Sequence, residues 1–416
     1  MEEKYLLAKN KVEKFKQEQL LSCYEKLSAE AKEKLLDDIL ETDFNQIENL
    51  YKNMNNYEKE TNVKIEAIPF VDKEKLSKDE KEYYSNIGSK VIKKGEYAVI
   101  TMAGGQGTRL GHSGPKGTYK LGDPINKSIF EILTDTMKGY CKKYNINIQW
   151  YIMTSVENNE ATVKFFEENN YFNYGKENLN FFIQGQLPMI DEQGKILLNE
   201  EGRIKKAADG HGGIFNCIIK QGILQDMKNK GIKWIFISGV DNILVKPVDD
   251  LLLGVTIDKK VLGASKSLIK SYPEEKVGVF CKKNSKPTVI EYTEISKEMA
   301  EERADNGELK YAESHILSNL FNIDVIEQMS KNEFKYHVAH KKANYMNSNG
   351  EIVVPDKPNA YKFESFLFDA FERLDDIAIL RVKRENEFAP IKNATGIDSP
   401  ETASELYLNF HKKSEE

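Results

Sequence analysis

YAVITMAGGQGTRLGHSGPKG (residues 97–117) runs a short apolar stretch straight into a loop holding six glycines, two cations (Arg109 and Lys116) and no carboxylate. A strand that opens into such a loop is a candidate anion cradle. Backbone without side chains approaches a ligand closely, and its N–H groups point inward. The sequence carries no GxxxxGK[ST], so this is not a P-loop. It is also a poor dinucleotide fingerprint, because Gly105-x-Gly107-x-x-Leu110 lacks the third glycine. Asp123, about twenty residues on, lies in the turn-like LGDPIN rather than at the end of a second strand.

Outward from this loop the chain alternates. YAVITM, IQWYIM, LNFFIQ, KWIFISGV, VLGAS and VGVFC read as short strands, and SIFEILTDTMKGYCKKY and ATVKFFEENN between them read as helices. The pattern predicts an α/β fold with a doubly wound, mostly parallel sheet. IAILRVKR near residue 380 adds one more strand. Residues 1–92 read as a charged helical region, with Leu20, Tyr24 and Leu27, then Leu35, Leu36, Ile39 and Leu40, at helix-face spacing and Ser28 as an N-cap. The expected division is thus a helical region at 1–92, a catalytic core at 93–375 and a small C-terminal region at 376–416. No internal repeat or hexapeptide period occurs, so no β-helix domain is encoded.

The 416 residues are 40% hydrophobic and 30% charged, with a net charge of −6. That balance speaks against a nucleic-acid binder and leaves anionic small molecules open. Four cysteines with no CxxC pair read as reduced thiols rather than as a disulfide framework or a zinc site. No apolar run approaches the roughly 18 residues of a membrane span. The expectation is a cytoplasmic protein without membrane or nucleic-acid partners, a monomer or weak homo-oligomer.

The long loop motif resembles the signature of the eukaryote-type UDP-sugar pyrophosphorylases, above all their N-acetylglucosamine branch, and it does not stand alone. FFIQGQLPM (181–189), ADGHGGIF (208–215), SGVDNILVK (238–246), VGVFCKKNSKPTVIEYTEIS (277–296), PDKPNAYKFESFLFDAF (355–371) and EFAPIKNA (387–394) resemble that family's blocks in the same order. The similarity implies a nucleotidyltransferase core of the GT-A, Rossmann-like kind. The implied reaction is Mg²⁺-assisted uridylyl transfer from UTP to a sugar 1-phosphate, giving a UDP-N-acetylhexosamine and pyrophosphate.

Such chemistry needs no general base, because the nucleophile is already an anionic phosphate oxygen. It needs cations, backbone donors and a carboxylate for the metal. Asp241 ends the apolar run WIFISGV, and the resemblance makes it the Mg²⁺ ligand. Arg109 and Lys116 are placed on the triphosphate, and Lys392 matches the family's C-terminal lysine at the reacting phosphates. Gly104, Gly105, Gln184, Gly210 and His211 match the uridine-binding positions. Gly278, Glu291, His315, Phe366 and Phe368 match the sugar pocket.

Two histidines depart from the family pattern. His211 and His315 each stand where the N-acetylglucosamine enzymes carry Asn. Glucose, galactose or several sugar 1-phosphates therefore remain open as substrates. So does a nucleotide-sugar binder without turnover, although such a binder has little use for Lys116, Asp241 and Lys392 together.

Overall fold

The computed structural model describes residues 1–54, 63–330 and 335–415; the part of the expected helical region at 55–62 lies outside the described residues. The chain forms two compact units, one of Met1–Thr61, Gly185–Gly213 and Phe334–Leu367, the other of Asn62–Gln184, Ile214–Glu333 and Phe368–Glu416.

The larger unit is built on a sheet whose main path has eight strands: β1 (Val71–Asp72), β2 (Tyr97–Met102), β3 (Gln149–Thr154), β4 (Leu179–Ile183), β5 (Trp234–Gly239), β6 (Gly263–Ile269), β7 (Glu313–Asn322) and β8 (Ala378–Arg381). Their spatial order is β1-β8-β6-β7-β5-β2-β3-β4. Every neighbour along this path is parallel except β7, which runs antiparallel to both β6 and β5. The expected mostly parallel α/β sheet is what forms. β2 is buried at all six positions, as a strand covered on both faces must be.

Besides the two-residue β1, β7 is the strand of this path that the pattern did not announce. It carries Ser314, Ser318 and Asn319 in buried positions, so it lacks an apolar run. Side-chain bonds take the place of apolar packing: Ser265 Oγ lies 2.9 Å from Asn319 Oδ1. A register shift between His315 and Asn319 makes a bulge, with Leu317 at a left-handed φ of 53°.

The helix Ile129–Tyr144 begins at Ser128, whose hydroxyl accepts from Glu131 N, and ends at left-handed Asn145. Ile129, Phe130, Leu133 and Met137 form its buried stripe in the main core, each contributing about 1.5–3 kcal/mol by burial.

The smaller unit begins with the helix Glu2–Lys14 and continues through the helices Ala29–Glu41 and Phe44–Asn53. Ser28 caps the second as expected, accepting from Ala31 N. The first expected helical face differs: Glu18–Leu21 and Tyr24–Lys26 are 3₁₀ turns. Gln17 explains this, because its amide reaches back to Gly194 O and Ile196 N, fixing the chain to another segment of the same unit. Residues 65–67 and 71–72 are strands rather than helix, drawn into sheet pairing with Cys281–Lys283 and with β8.

Candidate active site

β2 and β5 are parallel neighbours in register, Met102 beside Gly239. The glycine loop and Asp241 therefore leave the same edge of the sheet, the carboxyl ends where open α/β sheets take ligands. β3 and β4 end there as well. Gln184 N donates to Thr154 O at 2.8 Å, and the Gln184 side-chain oxygen lies 3.0 Å from where a Cβ on Gly104 would stand. Gly104 and Gln184, two of the expected uridine-binding residues, thus meet.

The loop is held in a fixed shape. Gly107 N donates to Gly114 O and Lys116 N to Gly105 O, while the buried Asn158 amide donates to Ala103 O at 2.9 Å. His112 packs its ring between Gly107 and Gly114. Thr118 spends its hydroxyl proton on Pro115 O, so His112 Nε2 donates to the Thr118 oxygen at 2.7 Å. Gly117 has no alternative, since a Cβ would lie 2.2 Å from the Phe130 ring. Gly105 and Arg109 stay exposed on this frame. Among the described residues, the structure gives the Arg109 guanidinium no hydrogen-bond or ion-pair partner.

The segment Glu387–Lys392 is brought to the same place by Asn242. This buried side chain donates to Glu387 O at 2.8 Å and accepts from Ala389 N at 2.9 Å. Ile391 then joins two candidates: its N donates to Asp241 O at 2.9 Å, and its O accepts from Lys116 Nζ at 3.2 Å. Lys392 follows directly, its Nζ 3.6 Å from the Asp398 carboxylate. The Lys116 ammonium and the backbones of Asp241 and Lys392 thus meet at Ile391. The local sequence marks neither Asn242 nor Asp398; each acts on residues the fold brings to it.

A buried ion cluster fixes the far side of this segment. Lys266, only 1% exposed, pairs with Asp249 at 2.7 Å and with Glu387, and Lys73 bonds Glu387 at 2.9 Å. Burial alone raises the Asp249 pKa, but Lys266 and Lys73 outweigh it and hold the carboxyl well below its ordinary value.

The sugar-pocket candidates of this unit gather around the bulge in β7. His315 N donates to Gly278 O at 2.9 Å, and a Cβ on Gly278 would lie 3.1 Å from the Glu291 carboxylate. The His315 ring packs edge-on against Phe280 and Phe368, each 5.3 Å away. Burial pulls its pKa down from 6.5 to about 4, so the ring is neutral at pH 7. Its Nε2 faces Asn319 Oδ1 at 3.1 Å; the network therefore puts the proton on Nε2 and leaves Nδ1 as an acceptor.

Gly210, His211 and Phe366 belong to the smaller unit. Gly210 has a φ of 84°, and a Cβ there would lie 2.2 Å from Ser365 O. His211 accepts from Leu367 N through Nδ1 at 3.0 Å, and its ring stacks on Phe366, which in turn contacts His337 at 4.4 Å between centroids. The pair Phe366 and Phe368 is therefore divided, the first stacking on His211 in one unit and the second packing on His315 in the other.

Among the described residues no group of three or more His, Cys, Asp or Glu could hold a metal. Mg²⁺ asks for less, since it keeps waters and takes one or two carboxylates plus substrate phosphates. Asp241 fits that need: its carboxylate lies 2.8 Å from the point a Cβ on Gly239 would occupy, so the glycine leaves the oxygen room. No helix among the described residues is long and apolar enough to cross a membrane.

The family model for UTP–glucose-1-phosphate uridylyltransferases matches residues 43–409. The chain is 38% identical to a UDP-N-acetylglucosamine pyrophosphorylase of Saccharomyces cerevisiae, covering 95% of this chain and 84% of the yeast protein. It is 37% identical to UDP-N-acetylglucosamine diphosphorylase 2 of Arabidopsis thaliana, covering 95% and 82%. The crystal structure of the Trypanosoma brucei UDP-N-acetylglucosamine pyrophosphorylase superposes with a TM-score of 0.85 at 29% identity, covering 99% of this chain and 86% of that one. With sheet, glycine loop and relatives in agreement over nearly its whole length, the chain belongs to the UTP–glucose-1-phosphate uridylyltransferase family of nucleotidyltransferases.

Proposed function

We propose that the chain catalyses uridylyl transfer from UTP to N-acetylglucosamine 1-phosphate, forming UDP-N-acetylglucosamine and pyrophosphate. The observation that carries this reading is the meeting of the Lys116 ammonium and the backbones of Asp241 and Lys392 at Ile391. A sugar-phosphate oxygen attacks the α-phosphorus of UTP in line, and the bond from that phosphorus to the bridging oxygen of pyrophosphate breaks. No proton has to be removed from the nucleophile, so the protein's task is to place two polyanions and stabilise charge.

Lys116 and the exposed Arg109 take the leaving pyrophosphate, and Lys392 exchanges Asp398 for the attacking or α-phosphate. Asp241 holds Mg²⁺, which when bound neutralises phosphate charge and aligns the reacting oxygens. The uracil falls to Gly104, Gly105 and Gln184 of the larger unit. Glu291 accepts from sugar hydroxyls beside the backbone of Gly278, and Phe368 is assigned to the sugar wall of the larger unit. His315, neutral and with Nδ1 bare, suits an N–H or O–H donor of the sugar, a contact an acetamido group can satisfy.

The test is pyrophosphate release with UTP, Mg²⁺ and a panel of sugar 1-phosphates. N-acetylglucosamine 1-phosphate is expected to lead in kcat/KM by at least tenfold, or about 1.4 kcal/mol of transition-state preference. Glucose or galactose 1-phosphate matching it would reassign the sugar, and no release with any of them would leave a binder without turnover.

A further inference from the structure

A cavity of about 300 Å³ opens in the larger unit between the helix Ile129–Tyr144, the segment Ile243–Lys246 and the helix Pro400–Glu415. Its lining is mainly apolar and contains no Asp or Glu. Lys246 and Tyr140 are two of the polar side chains that break that apolar wall. The half-buried Lys246 ammonium lies over the Phe410 ring at 4.6 Å, and among the described residues the structure gives its Nζ no hydrogen bond or ion pair. The Tyr140 hydroxyl likewise has no recorded hydrogen-bond partner among the described residues.

The contrast with the neighbouring lysine on the same lining is direct, because Lys143 pairs with Asp250 at 3.0 Å. The nearby carboxylates are already spent, with Glu387 and Asp249 both on Lys266. Burial lowers the Lys246 pKa, the mark of a cation partly stripped of water. A dehydrated ammonium and a phenol are both donors, so the missing partner is an acceptor with negative charge. The remaining walls ask for an apolar body of modest size, and the volume sits at the lower end of small-molecule sites.

We propose that this cavity binds a small amphipathic carboxylate, its head on Lys246 and Tyr140 and its aromatic or aliphatic body against Tyr407 and Phe410. The site has a route to the proposed reaction, and this part rests on that reading. The wall Ile243–Lys246 follows Asp241 directly in the chain. Leu244 N donates to the Asn242 side chain at 3.1 Å and Val245 N to the Asn242 carbonyl at 3.3 Å. An occupant pressing on this wall therefore acts on the turn that carries Asp241 and fixes Ile391, and it lowers turnover.

Calorimetric titration of the full chain with 3-phenylpropionate tests the site, with 3-phenylpropylamine and acetate as probes that lack the charge or the body. The carboxylate is expected to bind saturably and at least tenfold more tightly than either. Lys246→Met should weaken it at least tenfold. Gly139→Leu should abolish binding by filling the rim; a Cβ at Gly139 meets no atom within 4 Å, so this variant keeps the fold. Absence of saturable binding, equal binding of the amine, or unchanged binding in both variants overturns the site. Saturating 3-phenylpropionate should lower kcat at least twofold with UTP and N-acetylglucosamine 1-phosphate. Binding with unchanged kcat overturns the coupling. No turnover even without the probe counts against the uridylyl reading and leaves the binding result standing.

Discussion

Around Asp241 the charged groups stay partly exposed and are placed through backbone bonds, whereas the His315 ring is walled by the buried rings of Phe280 and Phe368. Lys116 has a backbone carbonyl as its recorded partner, and Lys392 has only a partly exposed pair with Asp398 at 3.6 Å, an interaction worth about 0–1 kcal/mol. Such cations yield readily to a polyanion. His315 instead has no charge to offer at pH 7 and is fixed by Asn319, Phe280 and Phe368. On the proposed reading, the first region suits charge that arrives with a phosphate substrate, and the second suits discrimination of shapes and hydrogen-bond patterns.

The largest expected effects test the first half of that contrast. Lys116→Ala and Asp241→Ala should each lower kcat by about 10²–10³-fold, the scale for removing one preorganised electrostatic group. The preference among sugar 1-phosphates should stay unchanged. Near-normal rates at saturating UTP and Mg²⁺ would remove these residues from the chemistry. A changed sugar preference would dissolve the division between the two regions.

Asn242→Ala comes next. It leaves Glu387 O and Ala389 N without their buried partner, at a cost of about 1–3 kcal/mol of stability. Because Asn242 positions the backbone that holds Asp241, Lys116 and Lys392, kcat should fall about tenfold while KM for UTP moves little. Urea denaturation and steady-state kinetics on one preparation separate the two effects. Lost stability with intact kcat would make Asn242 a structural residue and nothing more.

His315→Asn addresses the second region. The kcat/KM ratio of N-acetylglucosamine 1-phosphate over glucose 1-phosphate should rise by up to about tenfold, at most about 1.4 kcal/mol, with the UTP dependence unaltered. An unchanged ratio removes His315 from sugar contact.

The two regions also differ in how far they could be read from residues alone. β2, β3, β4 and β5 are continuous apolar runs, and the loop after β2 announces itself through its glycines. β7 was silent, because a central strand that satisfies Ser318 and Asn319 by side-chain bonding shows no hydrophobic pattern. Asn158 and Asn242 were equally silent. Each is a single amide whose partners, Ala103 for one and Glu387 and Ala389 for the other, lie at least 55 residues away. Lys392 could be singled out only through the block around it, and its partner Asp398 lies in a loop with no distinguishing pattern. Motif spacing thus exposed the candidate ligand groups, while the groups that position them are defined by tertiary pairing.

A last effect concerns stability rather than turnover and bears on the burial of the sugar region. Desolvation holds the His315 pKa at about 4, below its ordinary 6.5. The folded protein therefore resists a proton that the unfolded chain accepts. The contribution is fully present above pH 6.5. As pH falls from 6.5 towards 4 the unfolded state binds the extra proton and stability declines, and below about 4 nothing further is lost through this group. Asn at 315 cannot titrate, so the difference in unfolding free energy between wild type and His315→Asn should vary across that window and stay flat from pH 7 to 8. Denaturation midpoints at half-unit pH steps check it. Parallel curves throughout would mean that His315 protonates freely, and the region would then share the wet, charge-accepting character of the phosphate end.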